Sequence, residues 1–255
     1  MKLSLEIKGK SVDNKPDVVL IHGTGSYARM WETQMDELVD RGHRCLAPDL
    51  RGHGKTGELY QATNLEAHIE DVLETLEEYE VAFPCVFVGH SLGAIISLRL
   101  ANNHAQLTKS VFLAALPGRV YKPVSKAFKH FLNGPFQTIS RMPIKGALPW
   151  RHKVLLETDV HSLNEIVENF EDLDLVSEQF QINCPVHLSC GKFDPVAPYV
   201  YVQQIHQAIP HSTLKVFELG GHNFMDYNKK SFNNWIRDYI DLETEHISNR
   251  ADEVV

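Results

Sequence analysis

The chain alternates short apolar runs, rich in β-branched residues, with longer amphipathic stretches. This alternation predicts a mostly parallel sheet with helices packed on it, because consecutive parallel strands are joined by crossover helices. The runs with the length and composition of strands are KLSLEI, DVVLIHG, HRCLAPDL, CVFVGH, SVFLAAL, PVHLSCG and TLKVFEL. The middle runs are apolar throughout, as strands buried on both faces are, whereas the first alternates as an edge strand does. The expected fold class is therefore α/β, with a sheet of about seven strands flanked by helices.

One segment, between the runs SVFLAAL and PVHLSCG, interrupts this alternation. It contains no convincing strand, but VSKAFKHFL and SLNEIVENF have the apolar periodicity of helices, and the loop between them is rich in proline, glycine and aromatic residues. A helical insertion of this length between two strands of a parallel sheet is typical of a lid. We therefore expect a core of residues 1–117 and 180–255, with a helical lid of residues 118–179 inserted after the strand at 110–116.

Two helices have a recognisable start. Thr63 with Glu66, and Ser162 with Glu165, match the capping box, in which a serine or threonine caps a helix and a glutamate three residues later bonds back to it. The pattern predicts that one helix begins just after Thr63 and another just after Ser162.

The size and charge of the chain restrict the partners it can bind. With 255 residues, 43% of them hydrophobic, one large domain carrying an insertion is expected. A net charge of -8 argues against nucleic acid and against an anionic membrane surface, since both require basic patches. The expected partner is a small molecule. The sequence leaves the oligomeric state open.

No stretch has the apolar length of a signal peptide or a membrane span, so a cytoplasmic location is expected. The four cysteines, Cys45, Cys85, Cys184 and Cys190, lack the pairing of a zinc site, and most lie in apolar runs. Reduced, buried thiols are the expected outcome. The histidines of the insertion also lack metal-ligand spacing. Neither a metal nor a cofactor is expected.

The run CVFVGH leads directly into the pentapeptide GHSLG, which an apolar helical stretch follows. A Gly-x-Ser-x-Gly sequence between a strand and a helix predicts a tight turn with the serine in a strained backbone conformation. Gly89 and Gly93 leave room for that turn, so Ser91 is expected above the carboxyl end of the sheet. There the positive end of the helix dipole favours developing negative charge. Ser91 is the predicted nucleophile, and a structural turn serine is the alternative.

A serine hydroxyl is a poor nucleophile until a base takes its proton, and an acid must orient that base. Asp194 follows the strand PVHLSCG, whereas the preceding strand ends in PGR without a carboxylate. His222 follows the last strand, behind two glycines that allow a sharp loop. The predicted catalytic residues are thus Ser91, Asp194 and His222. A helix-capping aspartate and an ordinary loop histidine are the alternatives.

An oxyanion hole requires two preorganised N–H donors. The backbone N–H of Leu92, directly after the predicted nucleophile, is the first candidate. The second is the N–H of Thr24, in the loop His22-Gly23-Thr24-Gly25 that follows the strand DVVLIHG.

Three polar residues close to these motifs are expected to have structural roles. His90 precedes Ser91 and is expected to point away from it and to pack. His53 and Asp49 are expected to hold a loop by hydrogen bonds.

Taken together, these motifs resemble the α/β-hydrolase fold superfamily, in particular its small lidded serine esterases and lipases. The segments HGTG, APDLRGHGKT, VGHSLGA, GKFDPVAP and GGHNF occur in the family's order over nearly the whole chain. The resemblance implies the fold and a Ser-His-Asp triad. A single N-terminal strand replaces the family's usual pair, so seven strands are expected rather than eight, and Ala94 stands where another glycine is common. Haloalkane dehalogenases and epoxide hydrolases of this fold carry aspartate at the elbow, so Ser91 argues against both.

The expected activity is hydrolysis of a small or medium carboxylic ester through an acyl-enzyme. An apolar helical face around Phe128 and Phe131 predicts that the acyl or alcohol part is apolar. The candidate substrate contacts are Gly25, Phe128, Phe131, Phe136 and Trp150, with core packing as an equal alternative for Phe136 and Trp150.

Several other activities would use the same residues. A lactonase, a thioesterase or a carbon–carbon bond hydrolase would use the same triad, and the shape of the lid would decide between them. A cofactor-free oxygenase or haloperoxidase-like member and a ligand receptor with slow turnover are less favoured alternatives.

Overall fold

The computed structural model describes residues 1–58, 63–120, 122–142, 147, 148 and 150–252, with the backbone alone for 241–252. The described residues form one sheet of seven strands in the order β1-β3-β2-β4-β5-β6-β7. Strand β1 is antiparallel to β3, and every other neighbouring pair is parallel. The strands are β1 Ser4–Lys8, β2 Val18–Ile21, β3 Cys45–Asp49, β4 Cys85–His90, β5 Thr108–Ala114, β6 Val186–Gly191 and β7 Thr213–Phe217. The predicted α/β sheet of seven strands, with the first at an edge, is confirmed.

Helices join most of the parallel strands. In the described residues they are α1 Glu32–Val39, α2 Leu65–Glu78, α3 Leu92–Asn103, α4 Lys122–Phe131, α5 Gln137–Ser140, α6 Trp150–Glu157, α7 Val160–Asn169, α8 Tyr199–Ala208, α9 Phe224–Tyr227 and α10 Lys229–Asp252. Helices α4 to α7 lie between β5 and β6, within the predicted lid of residues 118–179. We call them the helical segment, and their role as a lid stays a prediction.

The first part of the expected loop inside the helical segment, up to Ser140, is helical. A π-helical turn, Leu132–Phe136, leads from α4 directly into α5. This turn contains Pro135, which has no N–H to donate to a regular helical hydrogen bond. A local change of helix type is a common way to accommodate such an interruption.

Both predicted capping boxes are wrong. Helix α2 begins after Asn64, whose side chain accepts a hydrogen bond from the N–H of Ala67 at 2.8 Å. Helix α7 begins after Asp159, which accepts from the N–H of Ser162 at 2.7 Å. Asn64 is a stronger cap than its neighbour Thr63. Asp159 caps as well as serine does and takes the capping position three residues before Ser162, which lies inside the helix.

The core lies on both faces of the sheet, because successive side chains of a buried strand point to opposite sides. On β4, Phe87 belongs to one apolar cluster, and Val86 and Val88 belong to the other. A third cluster, which includes Phe136 and Leu163, is confined to the helical segment. The four cysteines are free and buried, as predicted.

Helix α3 lies exceptionally close to the sheet where it begins. A Cβ atom on Gly93 would overlap the backbone carbonyl of Ile21 in β2. The obstructing atoms are backbone, so they cannot move aside as the end of a flexible side chain could. The position of α3 against β2 therefore requires a residue without a side chain.

Replacing Gly93 with alanine is expected to lower the free energy of unfolding by about 1–3 kcal/mol, because α3 and β2 must separate to admit the methyl group. Urea unfolding monitored by circular dichroism measures the change. Gly134→Ala is the matched control, since the space around a Cβ there is open to 4 Å, and it should leave stability unchanged or slightly higher. Equal effects of the two substitutions would contradict the close contact.

Candidate active site

Ser91 lies at the sharp turn between β4 and α3. Its backbone has φ 53° and ψ -112°, a conformation that L-residues rarely adopt. A Cβ on Gly89 would overlap the backbone of Gly93, so both glycines of the motif are needed for the turn. The N–H of Ser91 donates to the carbonyl oxygen of Ala114 in β5 at 3.0 Å, which ties the strained residue to the sheet. The serine is thus held at the carboxyl end of the parallel strands, beside the N-terminus of α3.

His222 connects Ser91 to Asp194 through its two ring nitrogens. Nε2 lies 3.0 Å from Ser91 Oγ, and Nδ1 lies 2.8 Å from Asp194 Oδ2. The second carboxylate oxygen of Asp194, Oδ1, accepts from the N–H groups of Val196 and Ala197 at 2.8 and 2.9 Å. The Asp194 carboxylate is completely buried and can only accept a hydrogen bond, so the ring proton is on Nδ1. Nε2 is then free to accept from the serine hydroxyl.

The loops that carry Asp194 and His222 are bonded to each other. Asp194 follows β6 and His222 follows β7, adjacent parallel strands whose carboxyl ends lie side by side. The N–H of Phe193 donates to the carbonyl of Gly220 at 2.9 Å. The spacing between acid and imidazole is therefore set by backbone contacts as well as by the side chains.

Leu92 and Thr24, the two predicted oxyanion donors, line the same cavity as Ser91 and His222. Leu92 is the first residue of α3, and the first N–H groups of a helix have no partner within it. The role of the two N–H groups as an oxyanion hole stays a prediction.

Two buried histidines hold the loop that contains Thr24. His53 Nε2 accepts from the N–H of Gly25 at 2.9 Å, and His22 Nε2 accepts from the N–H of Leu50 at 2.9 Å. Burial lowers the pKa of His22 to about 4 and that of His53 to about 3. Both rings are therefore neutral at neutral pH, which they must be to accept these bonds. The expected loop-holding role of His53 agrees with this geometry, and Asp49 likewise accepts from the N–H of Ala28 at 2.8 Å.

His90 has a connection to the site that the sequence analysis missed. Its side chain is buried, with its ring centroid 4.9 Å from that of His222. His90 Nε2 donates to the backbone carbonyl of His222 at 3.0 Å. Burial, reinforced by the neighbouring His222, lowers the pKa of His90 well below its usual value, so the ring stays neutral. The sequence signal was its position directly before Ser91, on the strand that leads into the turn.

The space around Ser91 consists of an apolar chamber and a polar groove. The apolar chamber has a volume of about 310 Å³. Apart from Thr24, Ser91, Ser125 and His222, its walls are apolar, and they are formed by Leu92, Ile95, Pro117, Val120, Val124, Phe128, Leu155, Ile166, Val167, Phe170, Leu173 and Val196. The polar groove, about 810 Å³, also reaches Thr24, Leu155 and His222 and continues past Gly25, Arg29, Trp150, Arg151 and Asp226.

The candidate substrate contacts are divided between three places. Phe128 lines the apolar chamber, whereas Gly25 and Trp150 line the polar groove. Phe131 and Phe136 line neither; they pack edge to face at 5.8 Å within the cluster of the helical segment. Phe136 thus takes the core packing that was its alternative. The placement of Phe131 departs from the expectation, because only the part of the α4 face that includes Val124 and Phe128 lines the chamber with Ser91.

The described residues contain no cluster of three or more His, Cys, Asp or Glu side chains arranged to hold a metal ion. Within the same residues, no helix combines the length and apolar character needed to cross a membrane.

Comparison with known proteins relates this chain to one protein family. The model of the alpha/beta hydrolase family matches residues 18–233. The AB hydrolase superfamily protein YisY of Bacillus subtilis is 24% identical over 243 residues, covering 87% of this chain and 90% of that protein. The pimeloyl-(acyl-carrier protein) methyl ester esterase of Vibrio vulnificus is 24% identical over 245 residues, covering 86% and 92%.

Among solved structures, the enol-lactonase from Burkholderia xenovorans LB400 superimposes with a TM-score of 0.79 at 23% identity, covering 93% of this chain and 96% of that one. Similarity at this level of identity concerns the fold, and the fold is shared by enzymes of different specificity.

His90→Phe is expected to lower kcat for ester hydrolysis about tenfold, because the loop that carries His222 loses the hydrogen bond to its carbonyl. His90→Gln, whose side-chain amide can donate in the same direction, should recover most of the loss. Steady-state kinetics on a p-nitrophenyl ester, with circular dichroism to verify folding, measures both. If glutamine and phenylalanine reduce kcat equally, the hydrogen bond has no positioning role.

The buried neutral histidines are expected to make the fold sensitive to acid. The unfolded chain takes up protons on these imidazoles near pH 6.5, whereas folded His53 takes one up only near pH 3. Between these values the unfolded chain binds more protons, so the free energy of unfolding falls as pH falls, by about 1.4 kcal/mol per pH unit for one histidine. Urea titrations from pH 7 to pH 4 measure this slope.

His53→Gln should reduce that slope by up to about 1.4 kcal/mol per pH unit, since the amide oxygen still accepts from Gly25 and does not titrate. His130→Gln is the control, because the His130 side chain is exposed in α4, and it should leave the slope unchanged. An identical slope in wild type and His53→Gln would contradict a buried neutral His53.

Proposed function

This chain belongs to the alpha/beta hydrolase family, and from that premise we propose that it is a serine hydrolase that cleaves carboxylic esters. The observation that carries the proposal is the continuous hydrogen-bond chain from Asp194 through His222 to Ser91, with distances of 2.8 and 3.0 Å. Its geometry matches the requirement for a nucleophile, a base and a group that orients the base.

In the acylation step, Ser91 Oγ attacks the ester carbonyl while its proton passes to His222 Nε2. The resulting imidazolium is stabilised by Asp194, which keeps its own negative charge. The N–H groups of Thr24 and Leu92 stabilise the tetrahedral oxyanion, each donor contributing about 3 kcal/mol. The intermediate then collapses to an acyl-Ser91 ester as His222 returns the proton to the departing alkoxide.

In the deacylation step, water enters the place that the alcohol has left. His222 takes a proton from the water as the water oxygen attacks the acyl carbonyl. The second tetrahedral intermediate then breaks its bond to Ser91 Oγ, which receives that proton from His222, and the carboxylic acid is released. The helical segment acts as a lid in this proposal, because Val124, Phe128 and Leu155 cover the chamber beside Ser91.

Two observations support an ester substrate. The apolar chamber reaches Ser91, so an uncharged acyl chain can be buried beside the nucleophile. The similar Vibrio vulnificus protein is named a methyl ester esterase. Small-molecule esters are therefore the proposed substrates.

Ser91→Ala is expected to abolish labelling by a fluorophosphonate probe and to lower kcat on p-nitrophenyl butyrate by at least about a thousandfold, because the nucleophile is lost. Intact-mass spectrometry and absorbance kinetics measure the two effects.

Ser97→Ala is the matched control. Ser97 lies on the same helix and its hydroxyl donates to the carbonyl of Gly93 at 2.8 Å, away from the chamber, so this variant should still be labelled. A wild-type protein that is neither labelled nor active on esters would refute the proposed function. Lactones and thioesters assayed in parallel would show whether another acyl substrate is preferred.

A further inference from the structure

We propose that Leu155 divides the site into an acyl compartment and a leaving-group compartment, and that the substrates are esters of apolar acids with alcohols that carry further hydroxyl groups. This inference rests on the proposed function, because it assigns the two parts of an ester to the two spaces that meet at Ser91 and His222.

The apolar chamber is the acyl compartment. Ser91 and Leu92 line this chamber and are not among the residues of the polar groove. The carbonyl carbon must bond to Ser91, and its oxygen must face the N–H of Leu92, so the acyl chain starts inside the chamber. Side chains such as Ile95, Phe128 and Phe170 then surround it. Among the described residues, the chamber's lining away from Thr24, Ser91 and His222 has one polar side chain, the buried hydroxyl of Ser125, and no charged one. A charged acyl chain would therefore lose its hydration there without gaining a charged partner.

The polar groove is the leaving-group compartment. His222 returns a proton to the leaving oxygen, so the alcohol must lie against His222, where the groove begins. The acids of the groove are both ion-paired. Glu32 Oε2 lies 3.7 Å from Arg29 Nε. Asp226 accepts hydrogen bonds from two nitrogens of Arg151, Nε and Nη2, and the second of these bonds is 2.6 Å long. The groove is also lined by the uncharged polar side chains of Thr33, Gln34 and Asn223, with the exposed Lys229 beside them. It therefore favours hydroxyl groups, which can both donate and accept hydrogen bonds.

Leu155 lies at the boundary between the two compartments. The residues common to both are Thr24, His222 and Leu155, and of these only Leu155 has an apolar side chain. A Cβ on Gly25, where φ is +70°, would overlap Leu155 Cδ1, so the leucine is pressed against the backbone of the loop that follows β2. It separates a space with mostly apolar walls from one whose walls carry many more hydrogen-bonding groups.

Helix α6, which carries Leu155, is anchored at its beginning. Arg151 reaches Asp226 in α9, just after His222, and Trp150 packs edge to face on Tyr27 with the ring centroids 6.0 Å apart. Leu155 follows these anchors by about one helical turn, so its position relative to the site is defined by contacts on two sides.

Two esters of hexanoic acid with the same three-carbon alcohol skeleton test the assignment, namely glycerol 1-hexanoate and propyl hexanoate. The wild-type enzyme is expected to hydrolyse the glycerol ester with a kcat/KM at least about tenfold higher, because propyl leaves the polar walls of the groove without partners. Equal values, or a preference for the propyl ester, would overturn the inference.

Leu155→Ala tests the boundary. Removing this side chain joins the compartments and gives the propyl group access to apolar surface, so the ratio of kcat/KM between the two esters should fall about fivefold or more. Leu156→Ala is the matched control: Leu156 is buried on the same helix in the cluster of the helical segment and lines neither space, so the ratio should stay within about twofold. Equal ratios in the two variants would refute the role of Leu155.

Thermal unfolding of each variant is measured first, and Leu155→Val replaces Leu155→Ala if the latter does not fold. Failure of this inference is distinguishable from failure of the proposed function. A protein that is labelled at Ser91 and hydrolyses both esters equally refutes the two-compartment assignment alone, whereas a protein that is neither labelled nor active on either ester refutes the serine hydrolase itself.

Discussion

The close approach of α3 to the sheet is the constraint on which the site depends. Backbone lies directly against backbone at Gly89 and Gly93, so the chain must change from strand to helix within a single residue. Ser91 absorbs that change with a φ of 53°. Such strain costs on the order of 1–3 kcal/mol, and it persists because apolar clusters on both faces of the sheet hold β4 and α3 in place.

The loops around Ser91 are held by neutral histidines as well as by backbone contacts. His53 accepts a hydrogen bond from the loop that contains Thr24, and His90 donates one to the carbonyl of His222. A neutral imidazole provides one donor and one acceptor on a rigid ring, so it can join a loop to its support inside an apolar core. The same burial keeps these rings neutral, and a protonated ring could not make the acceptor contact.

Periodicity and motif order predicted much of the fold and of the candidate site. The short apolar runs predicted the buried strands of the parallel sheet. The loops with Asp194 and His222 meet because the neighbouring strands β6 and β7 end at one edge of that sheet. The helix starts at Asn64 and Asp159 were missed because several polar side chains nearby could cap, and their competition depends on the exact backbone path. The packing of Phe131 away from the chamber was missed for a similar reason, since an apolar pattern does not specify which neighbour it faces.

The amino-acid sequence by itself determined the fold class and the residues placed at the end of each strand, because strand period and tight turns are local properties of the chain. Only the tertiary structure decided how the space beside Ser91 is divided. Leu155 and Gly25 are far apart in sequence, and the contact between them arises from the packing of α6 on the loop that follows β2. Such contacts depend on how whole helices are anchored, here by Arg151 on Asp226 and by Trp150 on Tyr27, and no local pattern encodes that arrangement.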